Sequence, residues 1–186
     1  MAARVAGLSD SLRPRVVYLY RCKGGGYQVA GRGTLYDADI TLAGGRNVAG
    51  GLKGFPTVSA EQLLLWAPEV VLVNNFEPGL SPWTVLEDRN LALLPAAREH
   101  RVYLFPMGGF RWDAPSQESP LAWQWLFRVF HPEQPSPSMR GAVVEAYGRL
   151  YGYRPDPAEL DQILRLDLNG PMRHYREHFT RVEPGP

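Results

Sequence analysis

The sequence has little of three features that would point to particular classes of protein. It has a single cysteine, Cys22, which excludes an internal disulfide framework and a cysteine-based zinc site. The 20 Lys and Arg residues nearly balance the 19 Asp and Glu residues, so a net charge of +1 gives no electrostatic reason to expect nucleic acid as a partner. No apolar run reaches the roughly 18 residues of a membrane span, and residues 1–4 lack the apolar core of a signal peptide. We therefore expect a chain that stays where it is made.

Length and composition indicate one globular domain. A chain of 186 residues is long enough to bury a single sizeable core, and 45% of its residues are hydrophobic. The 19 glycines and 17 prolines make it rich in turns, but below the level typical of disordered chains.

Three short apolar segments alternate with helical patterns and predict parallel βαβ units. Each segment is rich in β-branched and aromatic residues, as is typical of a buried strand. The fold class expected is therefore α/β, with an open, mainly parallel β-sheet flanked by helices. The strands are expected at 15–20, 69–73 and 101–105.

Capping residues and apolar spacing place the helices. The segment 119–130 is apolar around most of its circumference, as expected for a helix buried on several sides. We expect part of what it packs against to be missing, and the tail after Asn169 to be loose. The helices are expected at 34–43, 59–67, 119–130, 140–151 and 156–166, with broken helix over 83–99.

Residues 174–178, HYREH, match the H-x-x-E-H pattern of one class of zinc peptidase, in which two histidines bind the metal and the glutamate activates water. Such an enzyme needs a further ligand downstream, and only eight residues follow His178. We therefore expect a solvated helix here, with no metal and no peptidase activity.

Other motifs of enzymes and cofactor sites are missing. The glycines of 24–33 follow a strand but fit no G-x-G-x-x-G register, no phosphate-binding loop can be drawn around 50–54, and no G-x-S-x-G elbow is present. His131, at the end of a predicted helix, is expected to be a charge at the helix C-terminus rather than a base. We expect no cofactor and no catalytic residues.

Aromatic and polar residues gather directly after the three predicted strands. In an open parallel sheet these positions meet at one edge and line the ligand crevice. Aromatic walls with a few cationic groups suit a bulky anionic or chelated ligand. The alternative is that the aromatic residues only cover the edge of the core. The three loops carry Tyr20, Arg21 and Tyr27, then Asn74, Asn75 and Phe76, then Phe110, Arg111, Trp112 and Asp113.

Two runs, LAGGRNV at 42–48 and VSAEQLLLWAPEVVLV at 58–73, resemble the periplasmic binding proteins that deliver iron-siderophore, haem and cobalamin to ABC importers. The resemblance covers roughly residues 14 to 165. Members of that family have two α/β lobes joined by one long rigid helix, with the ligand between them, and this chain is similar to the second lobe only. The resemblance implies the end of the inter-lobe helix at 1–13, a C-terminal ligand-binding lobe at 14–168 and a tail at 169–186.

The same resemblance implies partners and site residues. Glu61 matches a glutamate that pairs with arginines of the inner-membrane permease, and Trp112 matches a frequent aromatic residue of the ligand cleft. The parent protein would be periplasmic and would bind a metal chelate such as a ferric siderophore, haem or a corrinoid, together with a missing N-terminal lobe. The ligand-binding residues are expected to be Tyr20, Arg21, Tyr27, Asn75, Arg111 and Trp112.

Two further expectations follow. The alternative function is a small α/β enzyme that uses the same strand-end crevice, although no convergent nucleophile, base or metal ligands are recognisable. If a first lobe is missing, its removal should weaken ligand binding and expose apolar area around Trp112, Trp123, Trp125 and Phe127. Such a patch predicts self-association.

Overall fold

The computed structural model describes residues 5–23 and 25–181. Within these residues, six strands form one sheet, in the order β4-β2-β1-β5-β6 with β3 paired to β1. The strands are β1 (Arg15–Lys23), β2 (Gly26–Val29), β3 (Arg46–Asn47), β4 (Thr57–Val58), β5 (Val70–Val73) and β6 (Val102–Leu104).

The centre of the sheet is parallel. β5 pairs in parallel with β1 and with β6, and β3 pairs in parallel with β1. The four residues of β5 are fully buried, as expected of an apolar central strand covered on both faces. The predicted fold class is thus confirmed.

One edge of the sheet is antiparallel and was not predicted. β2 folds back on β1 through a turn at Gly25, whose φ of 77° favours glycine, and β4 adds to β2. The glycine-rich segment that we expected to be only a loop therefore contains a strand.

Helices cover the sheet where caps and apolar spacing predicted them. Thr34 accepts a hydrogen bond from the Asp37 backbone N–H at 3.2 Å, and Asp156 forms a capping box with Glu159. The helices are α1 (Leu35–Leu42), α2 (Ala60–Trp66), α3 (Pro82–Glu87), α4 (Pro95–Arg98), α5 (Ser119–Phe130), α6 (Met139–Tyr151), α7 (Pro157–Ile163), α8 (Leu166–Asn169) and α9 (Tyr175–Thr180), with 3-10 helices at Asp10–Leu12 and Leu91–Leu93.

The expectation of a loose tail after Asn169 is wrong for the described residues. Tyr175 and Phe179 of α9 are only 1% and 2% exposed. The Tyr175 hydroxyl accepts from Trp125 Nε1 at 2.8 Å and donates to the Leu164 carbonyl at 2.6 Å. Helix α9 thus packs on the apolar helix α5, and this contact was invisible in the sequence because it joins distant segments.

The predicted apolar patch is also wrong. Trp112, Trp125 and Phe127 are buried, and Trp123 is half-buried with its Nε1 donating to Asp39 Oδ1 at 2.7 Å. These side chains therefore pack within the described part of the chain, and most of the surface that was expected to drive self-association is covered there.

The expected domain boundaries stay a prediction, because residues 1–4 lie outside the described residues. Residues 5 and 6 are helical, and Val5 is buried.

None of the helices within 5–23 and 25–181 combines the length and the apolar character that crossing a membrane requires.

Candidate functional site

Four aromatic rings gather at the carboxyl ends of the parallel strands, and we call Tyr20, Tyr36, Phe55 and Phe76 the aromatic face. The Tyr20 ring centroid lies 4.4 Å from that of Phe55, 5.1 Å from that of Phe76 and 6.2 Å from that of Tyr36. Phe55 is 40% exposed, Tyr20 and Phe76 are half-buried, and Tyr36 is buried. This part of the edge therefore offers ring surface to a ligand.

Backbone hydrogen bonds bring Phe55 to this edge. Gly31 N donates to the Gly54 carbonyl at 2.8 Å, and Arg32 N donates to the Leu52 carbonyl at 2.6 Å. A Cβ atom at Gly31 would overlap the Leu52 carbonyl oxygen, so this close approach requires glycine.

Two arginines flank the aromatic face. The Arg111 guanidinium carbon lies 4.6 Å from the Phe76 ring centroid, and that of Arg21 lies 5.3 Å from the Tyr20 centroid. Each also approaches a carboxylate, since Arg111 Nε is 3.2 Å from Asp113 Oδ1 and Arg21 Nε is 3.9 Å from Glu77 Oε2. The face thus combines apolar rings with cationic groups whose charge is partly offset by neighbouring carboxylates.

Asp113 fixes the geometry beneath the face. It is fully buried and accepts a hydrogen bond from the Tyr18 hydroxyl at 2.9 Å. Burial raises the pKa of Asp113, while the Tyr18 hydrogen bond and the Arg111 charge lower it. Because Tyr18 stacks on Tyr36 at 3.9 Å, the same network holds a ring of the aromatic face.

Asn75 joins the ends of β5 and β6. Its Nδ2 donates to the Pro106 carbonyl at 2.7 Å, which ties the loop after β5 to the loop that leads to Arg111. Its Oδ1 is buried and has no hydrogen-bond partner among the described residues. Asn75 therefore fixes the two loops of the site relative to each other, and its Oδ1 is a hydrogen-bond acceptor without a partner among the described residues.

Trp112 was expected to line the site, but it is buried beneath the surface. It is 1% exposed, and its Nε1 donates to Oε2 of the fully buried Glu118 at 2.6 Å. Glu118 also accepts from the hydroxyls of Tyr151 at 2.5 Å and Tyr147 at 3.3 Å. Trp112 has almost no surface to offer a ligand and instead anchors the loop that carries Arg111.

Tyr27 is also placed away from the aromatic face. It is 6% exposed, and its hydroxyl donates to Asp88 Oδ2 at 3.1 Å, beside the end of α3. The structure thus brings together Tyr20, Arg21, Asn75 and Arg111 of the predicted residues, but places Tyr27 and Trp112 in the core.

Glu61 lies exposed in the first turn of α2. A hydrogen bond with the Ser59 side chain and one with the backbone lower the pKa of the Glu61 carboxyl. It is therefore a charged surface group that a cationic partner could reach.

Sequence reasoning missed Tyr36 and Phe55. Neither residue follows a parallel strand, so the rule that pointed to the other positions did not apply to them. A usable signal for Phe55 is its position between Gly54 and Pro56, two residues that mark turns. An aromatic residue in a turn does not belong to the buried face of a strand or helix, so a role in a site can be considered for it.

His131 lies at the C-terminal end of α5, as expected. It is 7% exposed, however, and burial lowers the pKa of its imidazole. Burial therefore favours the neutral form relative to an exposed histidine.

Comparison with known proteins gives consistent matches. A family model described as periplasmic binding protein matches residues 2–107. Molybdate-binding protein MolA from Haemophilus influenzae is 33% identical over 121 residues, which are 62% of this chain and 34% of MolA. The structure of MolA bound to molybdate has a TM-score of 0.69 and 28% identity, covering 83% of this chain and 47% of that one.

Two further solved structures are similar. A periplasmic solute binding protein from Veillonella parvula is 30% identical with a TM-score of 0.81, covering 90% of this chain and 51% of that one. The periplasmic haem-binding protein BhuT, in complex with two haems, is 28% identical with a TM-score of 0.56, covering 69% of this chain and 49% of that one. The chain thus spans about half the length of these solved relatives, and its sequence match to MolA covers 34% of the MolA sequence.

Proposed function

The chain belongs to the periplasmic binding protein family, and from that premise we propose that it is the ligand-binding second lobe of the solute-binding component of an ABC importer. In this proposal the parent protein works in the periplasm and delivers its solute to a membrane permease. The family model and the half-length match to solved relatives support this proposal. The observation that carries it is the aromatic face with its two flanking arginines.

The proposed solute is a bulky metal chelate such as haem, a ferric siderophore or a corrinoid. Phe55 and Phe76 both contact Tyr20 and offer an extended apolar surface, while Arg111 lies above the Phe76 ring. A broad ligand can stack on such rings and place its carboxylates near the guanidinium groups. The likeness to a haem-binding protein supports this class.

A small oxyanion such as molybdate is the second candidate, because MolA is 33% identical. A compact dianion would need several donors that are free to converge on it. Arg111 Nε instead faces the buried Asp113 at 3.2 Å, and Arg21 approaches Glu77. These contacts occupy part of each guanidinium group, so few donors are free to converge on a compact dianion. The neighbouring rings instead offer the extended surface that a broad chelate can use.

The partners proposed are an N-terminal lobe and a permease. The aromatic face offers one wall of a binding cleft, and a first lobe would supply the other wall. Glu61 is proposed to pair with a cationic group of the permease, because it is exposed and charged at the start of α2. All the similar proteins named above are binding proteins, which favours this function over that of a small α/β enzyme.

Isothermal titration of the chain with haemin, a ferric siderophore, cyanocobalamin and molybdate tests the proposal. We expect weak binding of at least one chelate, since a single lobe makes about half of the contacts. Arg111→Gln should weaken that binding at least fivefold, whereas Arg98→Gln, a change at an exposed arginine in the last turn of α4, should not.

Three results would count against the proposal. Submicromolar binding by the monomeric chain would contradict a cleft shared with another lobe. Saturable binding of molybdate alone would select the second candidate. Equal binding by wild type and Arg111→Gln would show that the aromatic face is not the site.

A further inference from the structure

Three metal-ligating side chains lie together at the start of helix α9. His174 directly precedes the helix, and Glu177 and His178 lie within it. One ligand atom from each of the three lies within 4.8 Å of the other two. His174 Nδ1 is 3.5 Å from Glu177 Oε2, and the two imidazole centroids are 5.9 Å apart.

The local fold produces this arrangement. His174 has a φ of 58°, and its carbonyl accepts from the His178 backbone N–H at 3.0 Å, so the chain turns directly into α9. Residues three and four positions apart share one side of a helix. Tyr175 and Phe179 fix the other side in the core, and His174 and Glu177 are exposed while His178 is half-buried.

We propose that His174, Glu177 and His178 bind one divalent transition-metal ion of borderline softness, with Zn²⁺ and Ni²⁺ as the ions to test. Two imidazoles and one carboxylate form a ligand set that suits these ions. Water would complete the coordination. This site is separate from the aromatic face and does not depend on the proposed transport function.

Packing already holds the helix that carries the three ligands. Tyr175 and Phe179 are buried, so α9 is fixed in place without the metal and needs no rearrangement to bind it.

Neighbouring arginines limit the affinity. Arg173 Nε donates to His174 Nε2 at 3.2 Å, and Arg181 Nη2 donates to Glu177 Oε1 at 2.9 Å. A metal on His174 Nδ1 would place the ring proton on Nε2, so Arg173 would have to give up its contact. Arg173 would keep its ion pair with Glu99. Arg173→Ala is therefore expected to tighten metal binding at least threefold.

Glu177 acts as a ligand in this site and not as the base of a peptidase. The three ligands lie at the surface of one short helix, and we expect no peptide hydrolysis by the loaded chain. The expectation of a plain solvated helix therefore gives way to a proposed binding site on a helix that is half-buried.

Isothermal titration of the untagged full chain with ZnCl₂ and NiCl₂ tests the site. We expect one ion per chain, and at least tenfold weaker binding in His174→Asn and in His178→Gln. Asparagine tolerates the left-handed backbone at 174. The matched control is His100→Asn, because His100 is exposed, has a φ of 52° and lies outside the cluster. Its affinity should stay within twofold of wild type.

Circular dichroism of each metal-free variant shows whether it folds, and NMR of the wild-type imidazoles provides a second readout. The resonances of His174 and His178 should shift on addition of Zn²⁺ while those of His100 and His131 stay. The proposal would be overturned by absence of binding at millimolar metal, by unchanged affinity in both cluster variants, or by shifts at His100 alone.

Discussion

The pairing of Trp112 with Glu118 gives the sharpest test of how the site is built. Trp112→Phe removes the indole N–H that donates to Glu118 Oε2 at 2.6 Å, between side chains that are 1% and 0% exposed. Removing the donor from a buried hydrogen bond costs about 1–3 kcal/mol, and the smaller ring adds a cavity cost of about 1 kcal/mol. The free energy of unfolding should therefore fall by roughly 2–4 kcal/mol.

Urea denaturation and thermal melting measure this loss. A chain of this size loses about 2–4 °C of Tm for each kcal/mol, so the Tm should fall by roughly 5–15 °C. The control is Trp83→Phe, because Trp83 is 39% exposed, and its effect should stay within about 0.5 kcal/mol. Glu118→Gln and the double variant complete a mutant cycle, for which we expect a coupling energy of at least about 1 kcal/mol.

Two results would contradict this role of the Trp112–Glu118 hydrogen bond. Trp112→Phe could prove as stable as Trp83→Phe, which would mean that the hydrogen bond to Glu118 contributes nothing. A coupling energy near zero in the cycle would mean that the two side chains act independently. Either result would also remove the anchor that we assign to the loop carrying Arg111.

Three further predictions concern the fold around the site. Gly31→Ala should cost about 1–3 kcal/mol in urea denaturation because its Cβ would overlap the Leu52 carbonyl, whereas Gly51→Ala, with no atom within 4 Å, should not. Tyr175→Phe should cost about 1–3 kcal/mol, and no loss of Tm would show that α9 is loose. Because burial lowers the folded pKa of His131, stability should fall as pH drops below about 6.5, and His131→Gln should flatten this dependence between pH 7.5 and 5. An unchanged slope would contradict the burial of a neutral imidazole.

Local patterns in the sequence predicted the parallel strands and most helices. The apolar run that became β5 and the caps at Thr34, Ser59 and Asp156 act over a few residues, so they can be recognised without knowledge of the fold. The position rule for parallel sheets likewise predicted that Tyr20, Asn75 and Arg111 would meet.

Features that depend on contacts between distant segments were missed. The antiparallel strand β2 lies in a glycine-rich segment with weak strand signals, and only pairing with β1 defines it. Trp112 looked like a wall of the cleft because nothing in its neighbourhood shows that Glu118, Tyr147 and Tyr151 surround it. The burial of α5 depends in the same way on α9, which joins it from the far end of the chain.

NMR mapping on the labelled chain would show directly whether the solute binds on the aromatic face. A diamagnetic gallium(III) siderophore would be titrated into the chain, with molybdate in a parallel series. We expect shift changes concentrated at Tyr20, Phe55, Phe76 and Arg111, and smaller changes in Arg111→Gln. Changes confined to another surface, or equal changes in wild type and variant, would contradict binding on this face.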